Sequence, residues 1–515
     1  MGKRPMFIDG RGVPNGTIIE TDLAIIGAGA AGITLARELR DSTYSIALIE
    51  SGGLDFEPET QALYEGESTG VAYPLDSARL RYFGGSTNHW GGWCRPLAAV
   101  DFEARNWLPH SGWPITRADL DPYYARAQEI CQLGSTDFDD HGAWHQQANL
   151  LPIDLPGDDV ITRYFIFSSP TRFGEVYRRD IERAANIRTY LHSNVMEIVP
   201  NVEANAVDHL RLGTLGGNRF QIRPKLCILA TGGIENARLL LLSNSVQKAG
   251  LGNGHDIVGR YFMEHVHVPG QVAYIAISDS SLIPPHYHDA TKVGDVSMRA
   301  VLMLSDDYLR REKLLGTNMA LYPMREPVTD HRHSMDDAAG ALEPGVLQLL
   351  RSTDGSIGSS GKEMIFGVSC ATEQAPIPAN RVTLSKRTDA MGLHETHLNW
   401  KPIASDHRNL SRNLAVVARA FGAWGKADVR ILFSRPDVWL DAEEGWGCHH
   451  MGTTRMADDP KNGVVDANCR VHGFSNFYVA GSSVFATGGA VNPTLTVVAL
   501  ATRLADHLKS RSLNG

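Results

Sequence analysis

Near the end of the chain, two histidines and an asparagine carry side chains suited to work on a hydroxyl group. His449 and His450 stand just before Gly452-Thr453-Thr454, and Asn492 stands just before Pro493. An imidazole can remove a hydroxyl proton, and a carboxamide can orient or hydrogen-bond the same oxygen. Taken alone, His449 reads equally well as a turn histidine and Asn492 as a helix cap. His450 reads as structural, because adjacent residues seldom present both rings to one atom. A second cluster runs from Tyr82 to Gly92, where Gly84, Gly85, Ser86, Thr87 and Asn88 lead to His89 and Trp90. Small residues let backbone approach a ligand closely, so this reads as a binding loop, or else as a surface turn with His89 as its anchor.

Elements able to position such groups begin close to the N-terminus. Leu23 to Ile26 is a short continuous apolar run, followed at once by Gly27-Ala28-Gly29-Ala30-Ala31-Gly32. It reads as a buried parallel strand ending in a glycine turn. Apolar residues from Ala31 to Arg40 have helical spacing, and Ser45 to Ile49 reads as a second strand ending in Glu50. This is a βαβ dinucleotide fingerprint. Gly27, Gly29 and Gly32 would bring amides and a helix N-terminus to a pyrophosphate, and Glu50 would hold an adenosine ribose. An acidic side chain there disfavours a ribose 2'-phosphate. These residues leave FAD and NAD both open.

Fingerprint texture returns twice. Lys225 to Ala230 reads as a buried strand running into Thr231-Gly232-Gly233 and a helix from Ile234 to Leu242. Phe477 to Val479 runs into Gly481 and Ser482, with a helix expected over Thr494–Leu508 and Pro493 suited to its start. Thr189 to Val199 is expected to be one strand. Thr116 is expected to cap a helix running towards Cys131. The stretch from about 134 to 185, with Tyr164, Phe165, Phe167, Phe173 and Tyr177, reads as loop or lid material. From about 270 to 435, strand-like pieces dominate: 271–277, 297–304, 318–322, 364–370, 382–384 and 393–400, followed by a helix over 406–424. His265, His267, His286 and His288 form alternating pairs, but no cysteine or acid is placed to complete a ligand set, so no metal is expected.

Composition bounds the class. At 515 residues the chain is too long for one typical domain. Lys and Arg number 49 against 58 Asp and Glu, a formal charge of -9, which argues against a dominant nucleic-acid surface. No stretch is long and uncharged enough to span a bilayer. The first twenty residues lack an apolar signal core, so a cytoplasmic location is the expectation. Six cysteines, at 94, 131, 227, 370, 448 and 469, lack metal-ligand or haem spacing and are expected to be reduced.

With these motifs in this order, the chain resembles the glucose-methanol-choline (GMC) family of FAD oxidoreductases. The likeness covers the fingerprint, the Gly84–Gly92 loop, the Ala230–Leu242 turn and helix, and the histidine-to-asparagine tail. It implies an α/β fold: a Rossmann-like FAD-binding domain beside a second, mixed-sheet plus helix substrate-binding domain, as in p-hydroxybenzoate hydroxylase-like architectures. The FAD domain is expected from 1–100, 186–268 and 440–515, an intervening lid or subdomain from 101–185, and the substrate domain from 269–439. The resemblance selects His449 as catalytic base and Asn492 as its partner. The His-Asn pair is similar to the choline and pyranose branches. Gly85, Ser86, His89, Val195 and Gly481 join Gly27, Gly29, Gly32, Glu50 and Asn492 as expected FAD contacts, Val195 through its backbone to adenine. The Gly-Gly-Ser-Thr-Asn-His-Trp run resembles the segment of sugar-oxidising members in which a histidine is bonded to the flavin 8α carbon, which falls on His89. Glu373 and Gln374 resemble a segment near the substrate.

The implied function is oxidation of a sugar or glycoside hydroxyl to a carbonyl, with His449 taking the proton and flavin N5 the hydride. Alternatives are a sterol or other apolar-alcohol oxidase, an aminoglycoside or natural-product sugar dehydrogenase, and a non-oxidising flavoprotein. The resemblance leaves open whether oxygen, a quinone or another acceptor reoxidises the flavin, and whether the chain forms a homo-oligomer.

Overall fold

The computed structural model describes residues 6–134, 137–139, 142, 144, 150–268, 273–277, 279–324, 364–431 and 447–511. Gln271 and Val272, the start of the strand expected over 271–277, lie outside the described residues, as do 440–446 at the head of the last segment expected for the FAD domain.

The apolar run of the fingerprint forms the centre of an eight-stranded sheet. Its strand, Ile18–Ile26, is flanked by Ile46–Ile49 and Arg219–Leu229, both parallel to it. Leu23, Ala24 and Ile25 are wholly buried, as a strand covered on both faces requires. Ile187–Leu191 and then Phe7–Asp9 extend the parallel part beyond Ile46–Ile49. On the other side, Val207–Gly213 pairs antiparallel with the first half of Arg219–Leu229, and Asn194–Pro200 in turn pairs antiparallel with Val207–Gly213. Its second half pairs in parallel with Phe477–Val479. Three parallel neighbours thus end at one level, Ile26 opposite Leu229 and Leu229 opposite Val479. Each runs directly into a glycine turn, and the carboxyl edge of such a sheet is where open α/β folds take their ligands.

The single strand expected over 189–199 is two. His192, in the left-handed region at φ 51, breaks the run, and Asn194 starts an antiparallel neighbour. Apolar content is similar on both sides of the corner, so periodicity alone did not mark it.

A second sheet runs in the order Ala427–Ile431, Ala273–Ile277, Met364–Thr372, Thr317–Pro323, Val296–Leu304, Val160–Phe167, Trp93–Cys94. All its pairings are antiparallel. Val160–Phe167 lies in the stretch expected to be loop. Eight residues rich in β-branched and aromatic side chains fit a half-buried strand, and this one pairs with Val296–Leu304 along its whole length. Val266–Val268 joins the same sheet beside Met364–Thr372. Arg381–Thr388 and His394–Trp400 form a separate small sheet with Gly66–Gly70. The helix Ala404–Trp424 ends at Gly425 in the left-handed region (φ 70).

Thr494–Lys509 packs against the fingerprint helix Ala30–Glu38 and against Arg117–Ile130. The latter starts in a reciprocal capping box of Thr116 and Asp119. No helix among the described residues is long and apolar enough to cross a membrane.

Candidate active site

A cavity of about 730 Å³ runs from the fingerprint to the C-terminal histidines. Glu50 and Val195 line it, as do Gly27, Gly29, Gly85, Ser86, His89, Gly481, His449 and Asn492. Gly32 does not line it. A Cβ there would collide with the Gly27 carbonyl oxygen, so its lack of a side chain serves the close packing of helix on turn. Gly27 has φ 101, and a Cβ on it would stand 2.6 Å from the Ala230 carbonyl oxygen. At Gly29, Gly232 and Gly481, by contrast, a Cβ would meet no protein atom within 4 Å. These three form an open cradle at the carboxyl edge of the sheet. The Glu50 carboxylate accepts from the Ala28 amide at 2.9 Å and the Gly52 amide at 3.1 Å, fixing the turn beneath it.

Asn236 ties the second and third turns together. Its Oδ1 accepts from the amide and hydroxyl of Thr231, each at 2.7 Å, and its Nδ2 donates to the Ala480 carbonyl at 3.1 Å and to Ser483 Oγ at 2.8 Å. Beside it, Glu235 Oε1 and Oε2 stand 3.3 Å from Arg81 Nη1 and Arg79 Nη1, and Arg238 Nη1 reaches Glu235 at 2.9 Å. Burial alone would raise the Glu235 carboxyl, but Arg238, Arg81 and Arg79 pull it down to about 2. Arg238 also holds Asp389 at 2.6 Å. Three guanidiniums therefore face two carboxylates, and Arg81 Nε, in the cavity wall, has no partner among the described residues. A surplus cation, an open glycine cradle and the N-terminus of Thr494–Lys509 at the wall fit an extended ligand with an anionic middle, such as a dinucleotide pyrophosphate. Sequence reading passed over Arg79, Arg81, Glu235 and Asn236. The local signal was the polar group Glu235, Asn236 and Arg238 in the first half of a helix that ends in four leucines.

At the far end, Asn492 Nδ2 stands 3.2 Å from His449 Nε2. Nδ1 of His449 lies 2.8 Å from Nδ1 of His265, whose Nε2 lies 2.7 Å from the Gly489 carbonyl oxygen. His267, two residues along from His265, brings its ring centroid to 5.9 Å from that of His449 and lines the cavity. The histidines that looked like a metal pattern thus divide: His265 and His267 face His449, while His286 and His288 lie elsewhere, beside Tyr164 and Phe366. Burial, then the neighbouring His265, His267 and His450, hold the His449 pKa well below the ordinary histidine value.

One carboxylate organises the backbone here. Glu264 Oε1 accepts from the amides of His265 at 2.9 Å and His449 at 2.7 Å, and its Oε2 accepts from Tyr73 OH at 2.6 Å. Tyr73 OH is also 2.7 Å from His450 Nε2, so His450 is bound into the scaffold while still touching the cavity. Burial raises the Glu264 carboxyl to about 7. Gln374 accepts from the Glu264 amide at 3.1 Å and from Trp400 Nε1 at 2.9 Å. Glu373 is wholly buried against Arg105, whose Nη1 reaches it at 2.9 Å. Neither Glu373 nor Gln374 lines the cavity. Both act behind the wall, Gln374 by fixing the backbone at Glu264, next to His265.

His89 follows the short helical turn Gly85–Asn88 and lines the same cavity as the glycine cradle and the histidines. Its ring makes no hydrogen bond to the described residues, and burial, with Arg172 nearby, lowers its pKa.

Comparison with known proteins gives this geometry its chemistry. Residues 376–501 match the family model described as GMC oxidoreductase. Across 96% of both chains, the protein is 25% identical to a 2-methyl-1,2-propanediol dehydrogenase of Mycolicibacterium austroafricanum. It is 28% identical to the fructose dehydrogenase large subunit of Gluconobacter japonicus, covering 95% of this chain and 98% of that one. Its fold is similar to that of the formate oxidase of Aspergillus oryzae RIB40, with a TM-score of 0.59 and 15% identity over 97% of this chain and 99% of the other. These likenesses support membership of the GMC oxidoreductase family, as an FAD-dependent oxidoreductase acting on CH–OH groups.

Proposed function

We propose that the protein oxidises a hydroxyl of a sugar or glycoside to a carbonyl, with His449 as the base. The observation that supports this most directly is the convergence of His449 Nε2 and Asn492 Nδ2 at one end of the cavity. A hydroxyl oxygen received between them would give its proton to Nε2 and accept a hydrogen bond from Nδ2. Asn492 would then stabilise the alkoxide as charge develops on it. Bound FAD supplies the two-electron acceptor for the hydride leaving the carbinol carbon. His449 and Asn492 act on one oxygen and so set which carbon faces that acceptor.

The remaining cofactor contacts belong to the same proposal. Gly27, Gly29 and Gly481 receive the pyrophosphate, Glu50 the ribose, Val195 the adenine, and Gly85 and Ser86 the flavin side. His89 is the attachment point for the flavin 8α carbon. Its partner-free neutral ring in the cavity wall supports this role.

Likeness to a fructose dehydrogenase along nearly the whole chain supports the sugar class. A small vicinal diol is the second reading, favoured by the likeness to 2-methyl-1,2-propanediol dehydrogenase. Oxygen, a quinone or another carrier takes the electrons onward. An anaerobic panel of sugars, glycosides, small diols and apolar alcohols, read by flavin bleaching and followed by locating the new carbonyl, tests the proposal. Bleaching by sugars or glycosides is expected, and bleaching by diols or apolar alcohols alone would overturn the substrate class.

A further inference from the structure

We propose that His265 is a positioning residue that sets the tautomer of His449, leaving the lone pair of the base on the nitrogen that faces the substrate. This rests on His449 being the base.

The chain of reasoning starts from an atom with no choice of role. The Gly489 carbonyl oxygen only accepts, so His265 Nε2, 2.7 Å away, carries a hydrogen. His265 is buried and neutral, so its other nitrogen, Nδ1, is a lone pair. That lone pair lies 2.8 Å from Nδ1 of His449. Two lone pairs repel at this distance, so the His449 Nδ1 bears the hydrogen and donates it to His265. The only nitrogen left to act as a base is His449 Nε2, the one beside Asn492. Asn492 Nδ2 donates towards that lone pair, which agrees with the same assignment.

The surrounding structure holds this arrangement rigidly. Glu264 Oε1 binds the backbone amides of both histidines, which fixes one ring relative to the other. The Gly489 carbonyl belongs to a segment clamped by Asn318 Nδ2 on the Ala490 carbonyl at 2.7 Å and by Trp113 Nε1 on Thr487 Oγ1 at 2.8 Å. When His449 takes a proton it becomes an imidazolium, and its hydrogen bond to His265 Nδ1 becomes charge-assisted. His265 thus does for His449 what a carboxylate does in a hydrolase triad, but as a neutral acceptor that leaves the base weak. The other groups facing His449 are His267 from the adjoining strand, Cys448 and His450 from its own turn, and Glu264 beneath it, with Glu373 near His265. None of them offers an acceptor to Nδ1.

The test compares His265→Ala and His265→Asp with the native holoenzyme, using anaerobic flavin reduction by its best alcohol substrate across pH. Removing the acceptor in H265A should lower kcat/KM at least about tenfold with the flavin content unchanged. In H265D an acceptor-only carboxylate takes the place of Nδ1. It should recover part of the loss and move the acid limb of the pH profile upward, which a purely structural role would not do. A rate in H265A within about twofold of native, or an acid limb unmoved in H265D, would overturn the proposal. Should either variant lose its fold or its flavin, histidine 15N NMR of the native protein decides, with His449 assigned by the signal lost in H449Q. Hydrogen on Nδ1 and a lone pair on Nε2 are expected, and the reverse assignment refutes the proposal. If His449 is not the base at all, the sign is different: flavin reduction survives H449Q.

Discussion

Nδ2 of Asn492 stands 3.2 Å from Nε2 of His449, although 43 positions separate the two residues in the chain. One comes from the turn after Gly447 and the other from the start of the last helix, and both are pinned from below, His449 by Glu264 and the 487–490 segment by Asn318 and Trp113. The backbone on each side is thus held by partners other than the facing side chain.

Asn492→Ala should keep its FAD and reduce it more slowly. Losing a hydrogen bond to developing charge costs about 1.5–3 kcal/mol, on the order of a 10–100-fold fall in the rate of flavin reduction. Anaerobic stopped-flow absorbance measures this directly. An unchanged rate would mean that Asn492 does not touch the reacting oxygen.

The acid limb of kcat/KM should lie below the ordinary histidine value of 6.5, because burial and the histidines around His449 depress its pKa. A depressed base is neutral, and so competent, at every pH above its own pKa, and activity is lost only as pH falls through that lower value. A profile falling already at or above pH 6.5 would contradict the geometry.

Glu264 makes stability depend on pH in the opposite way from a paired surface carboxylate. Its pKa is raised by burial from 4.5 to about 7, so between these values the folded protein holds a proton that the unfolded chain has released. Stability from this group is full below pH 4.5 and falls as pH rises towards 7, by about 3 kcal/mol in all. Glu264→Gln mimics the protonated acid, accepting the two amides on its oxygen and donating to Tyr73. Denaturant unfolding at pH 5 and pH 8 should show a smaller fall in the variant than in the native protein. Equal falls would remove Glu264 from this role.

Much of this arrangement is legible in the chain itself, and what escapes reading has a physical cause. The strand Leu23–Ile26, its glycine turn and the following helix are local: apolar run, φ-permissive residues and helical spacing lie side by side. His449 and Asn492 carry local signals too, but their meeting is a matter of tertiary structure. Arg81, Asn236, Glu264 and His265 are ordinary polar residues until the fold brings their partners from as far away as 247 positions, as with Asn236 and Ser483. Val160–Phe167 was readable from its β-branched and aromatic content, yet its aromatics drew attention to a lid instead of a sheet. His265 and His267 showed their shared face by alternation, and only the position of His449 turns that face from a metal pattern into the surroundings of a base.

If His89 carries the flavin, acid-denatured protein should stay yellow after filtration, and His89→Asn should release its colour. Release of all flavin from the native protein would remove the covalent bond from the account and leave the rest standing.

The most direct measurement is anaerobic reduction of the bound flavin by a sugar or glycoside in native protein and in His449→Gln, each first shown to hold equal FAD. Rapid bleaching of the native enzyme and a rate lowered by about 10²–10⁴-fold in the variant are expected for loss of a general base. Bleaching of H449Q at the native rate would contradict the assignment of His449 as the base.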